Sequence, residues 1–262
     1  MNYTIRLLNT GHQYLDKGDY ATFRNGHGTV LDMPVYAFLI EGNGKKYLVD
    51  TGMADTQRSV KYHHEGLQEE GRAIHEQLEK LGISTCEIDA VLFTHLHWDH
   101  CSNLEKFPDA QLYVSRAEYE FARDPLPFYW ASYEYPPATG LVPPFEGRTF
   151  HLIDGETEIF EGISMIPTPG HSPGHMAVSV QTKSGIYYIV GDLMFLRDNM
   201  QPEAKKGWPI TPPGRFCNML DLWKSIETIM ERADHTDFVL MTHDPYHLGK
   251  EEDIYERTCN GC

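Results

Sequence analysis

Short apolar blocks recur along the chain, and their period changes from two to between three and four and back again. Tyr36–Ile40 and Tyr47–Val49 flank the turn residues Gly42-Asn43-Gly44-Lys45, and Met176–Val180 and Ile186–Val190 flank Lys183-Ser184-Gly185. Each pair predicts a β-hairpin, because β-branched and aromatic runs separated by Asn, Gly or Ser carry the turn chemistry that antiparallel neighbours need. Both hairpins run into an aspartate, Asp50 in the first and Asp192 in the second, an echo that fits a duplicated α/β half. Ala90–Phe93, Ile163–Ile166 and Phe238–Met241 read as further short strands. Between them Leu67, Gly71, Ile74, Leu78 and Leu81 recur at helical steps, with Gly82 placed to stop the helix, and Leu222, Trp223, Ile226, Ile229 and Met230 form a second stripe after Asp221. Alternation of these elements predicts a layered α/β fold, and 262 residues at 41% hydrophobic suffice for one domain spanning 1–262.

Two segments, 119–149 and 193–216, follow neither period. They are rich in proline and aromatics, including Trp130, Tyr133 and Trp208, and are expected to be long loops or short helices. Because both follow sequence that approaches the candidate ligands described next, they are expected to roof a substrate pocket; capping the core or joining two subunits is the competing role.

The chemistry concentrates at strand ends. Thr94-His95-Leu96-His97-Trp98-Asp99-His100 follows the Ala90–Phe93 strand and places four metal-ligating side chains within six residues. Residues two apart at a strand mouth point the same way, so His95 and His97 can face one cation, while a turn into a helix swings Asp99 and His100 towards a neighbouring position. Four side chains cannot complete two coordination shells, so further ligands must come from elsewhere. Thr168-Pro169-Gly170-His171-Ser172-Pro173-Gly174-His175, Gly191-Asp192 and Thr242-His243-Asp244 each follow another predicted strand. His171 could complete the first site and His243 the second, and the two oxygens of Asp192 could bridge them. Asp50 is expected to orient ligands by hydrogen bonds, and His175 to stand beside the site.

With H-x-H-x-D-H followed by H, D and H at later strand ends, the chain resembles the metallo-β-lactamase superfamily from Tyr36 to Asp244. The resemblance implies a four-layer αβ/βα sandwich and seven ligands: His95, His97, Asp99, His100, His171, Asp192 and His243. It also implies two divalent cations, expected to be Zn2+, although the same donors accept Fe, Mn or Co. Two such ions roughly 3.5–4 Å apart share a water whose lowered pKa presents hydroxide at neutral pH. Asp99 and Asp192 are the catalytic carboxylates on this reading, Asp99 passing a proton to the departing alkoxide. Within the superfamily the pattern looks most like the N-acyl homoserine lactonases and related small-lactone hydrolases, which open a lactone ring. In them a tyrosine commonly lies three residues beyond the bridging aspartate, whereas this chain has Phe195. Tyr129, Tyr133 or Tyr246 could supply the missing hydroxyl. Hydroxyacylglutathione hydrolases share the ligands but carry an added C-terminal helical region, and nineteen residues follow His243. A thioesterase of that type, or a hydrolase of another cyclic ester or amide, is the alternative, and a non-catalytic metal-binding protein ranks lower.

Composition narrows the partners. A formal charge of −16 disfavours nucleic acid, which needs clustered Lys and Arg, and no run is long and apolar enough to span a bilayer. A small-molecule substrate, a cytoplasmic location and a monomer or homodimer are expected. In so acidic a chain Arg197, Lys205, Lys206 and Arg215 draw notice, and Arg215 is the candidate to meet a substrate carboxylate. Cys86, Cys101, Cys217, Cys259 and Cys262 form no disulfide framework, and Cys259-Asn260-Gly261-Cys262 reads as a tail. Of the fourteen histidines, His12, His27, His63, His64, His75, His151, His235 and His247 are expected to be ordinary core or surface residues.

Overall fold

The computed structural model describes residues 3–250 and the backbone of 254–255, so the Cys259/Cys262 pair lies outside the described residues. Sheet one contains β1 (Thr4–Asp16), β2 (Val30–Gly42), β3 (Lys45–Val49), β4 (Gly66–Leu67), β5 (Ala90–Leu92), β6 (Gln111–Ser115) and β7 (His151–Ile153). Sheet two contains β8 (Thr157–Phe160), β9 (Ile163–Pro167), β10 (Met176–Gln181), β11 (Ile186–Ile189) and β12 (Val239–Leu240), and β13 (Ile254–Tyr255) joins the edge of sheet one beside β1. Both expected hairpins form, β2 with β3 and β10 with β11. The first turns at Asn43 and Gly44, both at positive φ, as a tight hairpin turn requires.

The layers follow from which face each residue presents. Phe38, Ile40, Val49 and Leu92 of sheet one meet Met165, Val178, Val180 and Ile189 of sheet two in a core between the sheets. Leu39, Leu48 and Val91 point the other way and pack with Ile74 and Leu78 of a helix over Ile74–Lys80 and with Ala122 of another over Arg116–Arg123. On the outside of sheet two, Ala177, Tyr188 and Val190 bury Leu222, Ile226 and Ile229 of the 14-residue helix Met219–Arg232. The result is a helix, sheet, sheet, helix sandwich.

One expected helix is shorter than its periodicity suggested. Leu67 pairs with His12 as strand β4, and Gly71 turns the backbone at φ +78, so only Ile74–Lys80 is helical. Tertiary pairing at the edge of β1 overrides a local pattern there. Gly82, at φ +73, does lie just past the end of that helix. Segment 119–149 contains the end of the Arg116–Arg123 helix, a short turn of helix at Pro127–Tyr129 and another at Pro136–Thr139.

Candidate metal centre

The loops after β5, β9, β11 and β12 converge. The chain leaves β5 extended through His97 and then turns into a helix at Trp98–Cys101, which redirects Asp99 and His100 as the spacing predicted. Ligand atoms of His95, His97, His171 and Asp192 lie within 4.8 Å of one another, and so do those of Asp99, His100 and His243. Asp192 stands between the groups. Its Oδ2 is 3.3 Å from His171 Nε2 and 3.9 Å from His95 Nε2, while Oδ1 is 3.1 Å from His100 Nε2 and 3.2 Å from His243 Nε2. His97 Nδ1 lies 3.0 Å from His171 Nε2. The approach of Asp192 depends on Gly191, at φ +50: a Cβ there would come within 2.7 Å of Thr94 Oγ1 and 2.9 Å of His175 Nε2.

The outer nitrogens fix the tautomers. His100 Nδ1 donates to Asp50 Oδ2 at 2.8 Å, His243 Nδ1 to the Pro34 carbonyl at 2.8 Å and His171 Nδ1 to the Arg215 carbonyl at 3.3 Å. Carboxylate and carbonyl oxygens only accept, so each imidazole carries a proton on Nδ1 and turns Nε2 inward. Thr94 Oγ1 donates to Asp50 Oδ2 and accepts from His95 Nδ1 at 3.1 Å, which gives His95 the same tautomer. Nε2 of His95 and His100 and Oδ1 of Asp192 are buried without a hydrogen bond. Burial, reinforced by neighbouring imidazoles, holds His95 and His97 well below the usual imidazole range. Burial also takes His171 down to about 4 against the pull of Asp192. For Asp192, burial opposes ionisation, but His100, His243 and His171 outweigh it and keep the carboxyl ionised far below its ordinary range. Burial opposes the charged form of His100 and His243, but Asp192 and Asp99 outweigh it and raise both above the ordinary imidazole range. A divalent cation binds neutral imidazoles and ionised carboxylates, so loading would displace the Nε2 protons of these two and satisfy the buried Nε2 and Oδ1 atoms that lack partners. Metal loading should therefore stabilise the fold. At about a thousandfold excess over Kd the gain is roughly 4 kcal/mol, or on the order of 10 °C in Tm. Scanning calorimetry of chelated and zinc-loaded protein checks this, and coincident melting curves would contradict it.

A buried carboxylate that sequence reasoning missed ties the ligand loops together. Glu118 accepts from Leu96 N at 3.0 Å, Ser172 Oγ at 2.5 Å, Gly174 N at 3.3 Å and Tyr133 Oη at 2.8 Å. It thus joins the His95–His100 loop to the His171 loop. No sequence pattern marked it, because its neighbours come from three separate segments. Glu118→Ala would strand these donors in the core and is expected to cost about 3 kcal/mol or more, measurable by denaturant unfolding. His175 stands behind His95, with ring centroids 5.2 Å apart and Nδ1 2.9 Å from Thr168 Oγ1. Cys101 is buried and its thiol contacts the Leu96 carbonyl, consistent with a packing role.

A cavity of about 190 Å³ opens over the centre. Asp99, Asp192, His97, His171 and His243 form its floor, and Phe195 and Arg215 stand in its wall. Three expected wall residues do not. Trp130 is turned away, its indole N–H donating to the Pro125 carbonyl, and Trp208 packs with Phe23 and Trp223. Tyr133 is wholly buried beneath His97 with its hydroxyl committed to Glu118. In each case the aromatic is engaged in packing or hydrogen bonding away from the cavity lining. Tyr246 is likewise engaged elsewhere, under the Arg197 guanidinium. Segment 119–149 contributes Phe128, Ala131 and Ser132 in their place, and the cavity also draws on the N-terminal half, through Gln13, Tyr20, Tyr62, His63 and His64. Two histidines assigned ordinary roles are therefore wall residues: His63 stacks on Trp98 at 4.0 Å with Nε2 3.0 Å from Glu134, and His64 meets the edge of Tyr20 at 5.1 Å.

This dinuclear donor arrangement can be set beside known proteins. The family model of the metallo-beta-lactamase superfamily matches residues 30–245. The chain belongs to that superfamily. Among curated relatives, an N-acyl homoserine lactonase of Bacillus cereus is 28% identical over 187 residues, covering 68% of this chain and 70% of the relative. The N-acyl homoserine lactonase AttM of Rhizobium radiobacter is 25% identical over 238 residues, covering 84% and 85%. A solved quorum-quenching N-acyl homoserine lactone lactonase superposes with a TM-score of 0.75 at 23% identity, over 94% of this chain and 95% of the other. AidC, described as a dizinc quorum-quenching lactonase, gives 0.66 at 17% identity, over 99% and 92%.

In this member of the superfamily Phe195 is 2% exposed and its ring stacks on His243, centroids 5.3 Å apart and planes 13° apart. It meets His171 edge-on at 5.9 Å. A phenyl ring there packs on the candidate ligands His171 and His243 and closes the wall but donates no hydrogen bond.

Proposed function

We propose that this protein opens the ring of a lactone by dinuclear metal-dependent hydrolysis, with His95, His97, His171 and Asp192 holding one cation and Asp99, His100, His243 and Asp192 the other. The placement of Asp192, one oxygen towards each group of ligands, is the observation that carries this assignment. The likeness to N-acyl homoserine lactonases supports the lactone as substrate class, and the dizinc neighbour supports Zn2+ as the metal. Bound there, two divalent cations supply Lewis acidity that polarises a carbonyl and acidifies water towards neutral pH.

The chain's own residues do the remaining work. Gln13 Nε2 donates to Asp99 Oδ2 at 2.7 Å, which fixes the carboxylate plane and leaves Oδ1 to take a proton from the attacking water and return it to the departing alkoxide. Phe195 shields the ligand side from bulk water and strengthens the electrostatics inside. The free thiols of Cys86, Cys101 and Cys217 suit a reducing, cytoplasmic setting, and the −16 charge argues against a nucleic-acid partner. A monomer or homodimer is compatible with a site built from one chain.

A panel of acyl homoserine lactones, simple γ- and δ-lactones, acidic lactones and glutathione thioesters, assayed with zinc-loaded protein, tests the assignment. Preferential lactone turnover is expected. Turnover of thioesters alone would move the protein to the hydroxyacylglutathione hydrolase type of activity.

A further inference from the structure

Arg215 is held from three sides. Its backbone N–H donates to the Tyr20 carbonyl at 3.2 Å, and its own carbonyl accepts from the ligand His171. Its Nη2 donates to Ser132 Oγ at 3.0 Å. Gly214 makes the first contact possible, because a Cβ there would fall within 2.5 Å of the Asp19 carbonyl oxygen. The Ser132 carbonyl in turn accepts from Trp98 N, so the anchor belongs to the same rigid layer as the ligand loop. The guanidinium lies 5.4 Å from the Phe128 ring and 5.5 Å from the Tyr129 ring.

Several arginines have carboxylate partners, among them Arg58 with Glu134, Arg116 with Asp154, Arg197 with Asp237 and Arg232 with Glu156, whereas Arg24, Arg123 and Arg148 instead meet an aromatic ring or a backbone carbonyl and stand outside the cavity lining. Arg215 has no carboxylate partner among the described residues, although acidic side chains outnumber basic ones 38 to 22. It is half-buried and lines the cavity over the metal centre together with Ser132. One of its five N–H groups is spent on Ser132, whose own hydroxyl proton stays available, so the pair presents several donors and a positive charge to whatever enters.

We infer that this cavity recognises a compact lactone that carries an ionised carboxylate, with Arg215 and Ser132 binding the carboxylate while the ring ester lies over Asp99 and Asp192. The inference rests on the lactone assignment above and narrows it. Two further features agree. A space of about 190 Å³ is below the roughly 300–1,000 Å³ of pockets for drug-sized ligands, so it suits a small ring. A fixed guanidinium also loses little freedom on binding, which favours selectivity for the planar carboxylate its fork matches.

The test pairs two readouts on zinc-loaded protein. The first compares kcat/KM for a γ-butyrolactone bearing a ring carboxylate with that for its carboxamide twin. The second uses titration calorimetry with tetrahydrofuran carboxylate, which cannot be opened, and its carboxamide. The wild type should prefer the carboxylate in both. Arg215→Gln should reduce each preference about tenfold or more, the scale of a lost charge-assisted pair, and Arg215→Lys should retain part of it. Ser132→Ala provides a second variant should Arg215→Gln fail to fold, with a several-fold loss expected. Equal wild-type affinities, or a preference that survives Arg215→Gln because the metals alone hold the carboxylate, would overturn the inference. Arg215-dependent binding of the cyclic ether without turnover of either lactone would support the anion subsite and remove the lactone assignment instead.

Discussion

Asp192→Ala is expected to reduce kcat/KM for lactone opening by roughly 10³-fold or more and to leave fewer than two metals per chain. The size follows from what is lost. Removing a single electrostatic donor from a catalytic site costs on the order of 10²–10³-fold, and Asp192 serves both ligand groups at once. Its Oδ1 lies against His100 and His243 and its Oδ2 against His171 and His95, so alanine leaves four imidazoles crowded together without the anion that offsets them. Metal analysis alongside kinetics checks this. A variant that keeps two tightly held metals and near-normal turnover would show that Asp192 bridges nothing.

The second large effect is expected at Asp50, which contacts no substrate. It is completely buried at φ +59, a left-handed backbone that Asn and Asp tolerate better than most residues. Its Oδ1 accepts from Thr94 N, and its Oδ2 from Thr94 Oγ1 and His100 Nδ1, all at 2.8 Å. Asp50→Asn keeps the backbone and shape but turns an amide N–H towards donors and withdraws the charge that fixes His100. Metal affinity should fall about 10- to 100-fold, the usual penalty for losing a partner that orients a ligand. Asp50→Ala should add about 3 kcal/mol of destabilisation through unpaired buried donors. Competition against a fluorescent zinc chelator gives the affinity. Unchanged affinity in Asp50→Asn would reduce Asp50 to a structural turn residue.

The clustering of the seven candidate ligands was legible because its signals are local. Each ligand sits within a few residues of an apolar strand, and strand ends with glycine or proline beside them fix direction without knowledge of the tertiary packing. The hairpins carrying Asp50 and Asp192 and the helix Met219–Arg232 were legible for the same reason. The substrate wall was legible only in part: segments 119–149 and 193–216 do reach the cavity, through Phe128, Ala131, Ser132, Phe195 and Arg215, but most of the side chains singled out in them do not. Trp130, Tyr133 and Trp208 were singled out for size and position, yet a large aromatic near a site serves equally well as packing, and local sequence does not separate the two roles. Gln13 and Tyr20 are brought over the centre by the long pairing of β1 with β2 and the turn at Lys17–Ala21, and His63 and His64 by the end of the helix Thr56–Tyr62 just before β4 pairs with β1. Glu118 shows the same limit: its helix is recognisable, but its role exists only where three loops meet. Arg215 was separable by charge, being a cation beside aromatic and proline residues in a strongly acidic chain.

The most direct test is to titrate metal-free protein with Zn2+ while following both bound metal and the opening of a lactone that the wild type turns over. Lactone opening should rise with zinc loading and reach its plateau at two tightly bound equivalents per chain. A plateau at a single equivalent, or full occupancy by two without lactone opening, would contradict the dinuclear lactonase account.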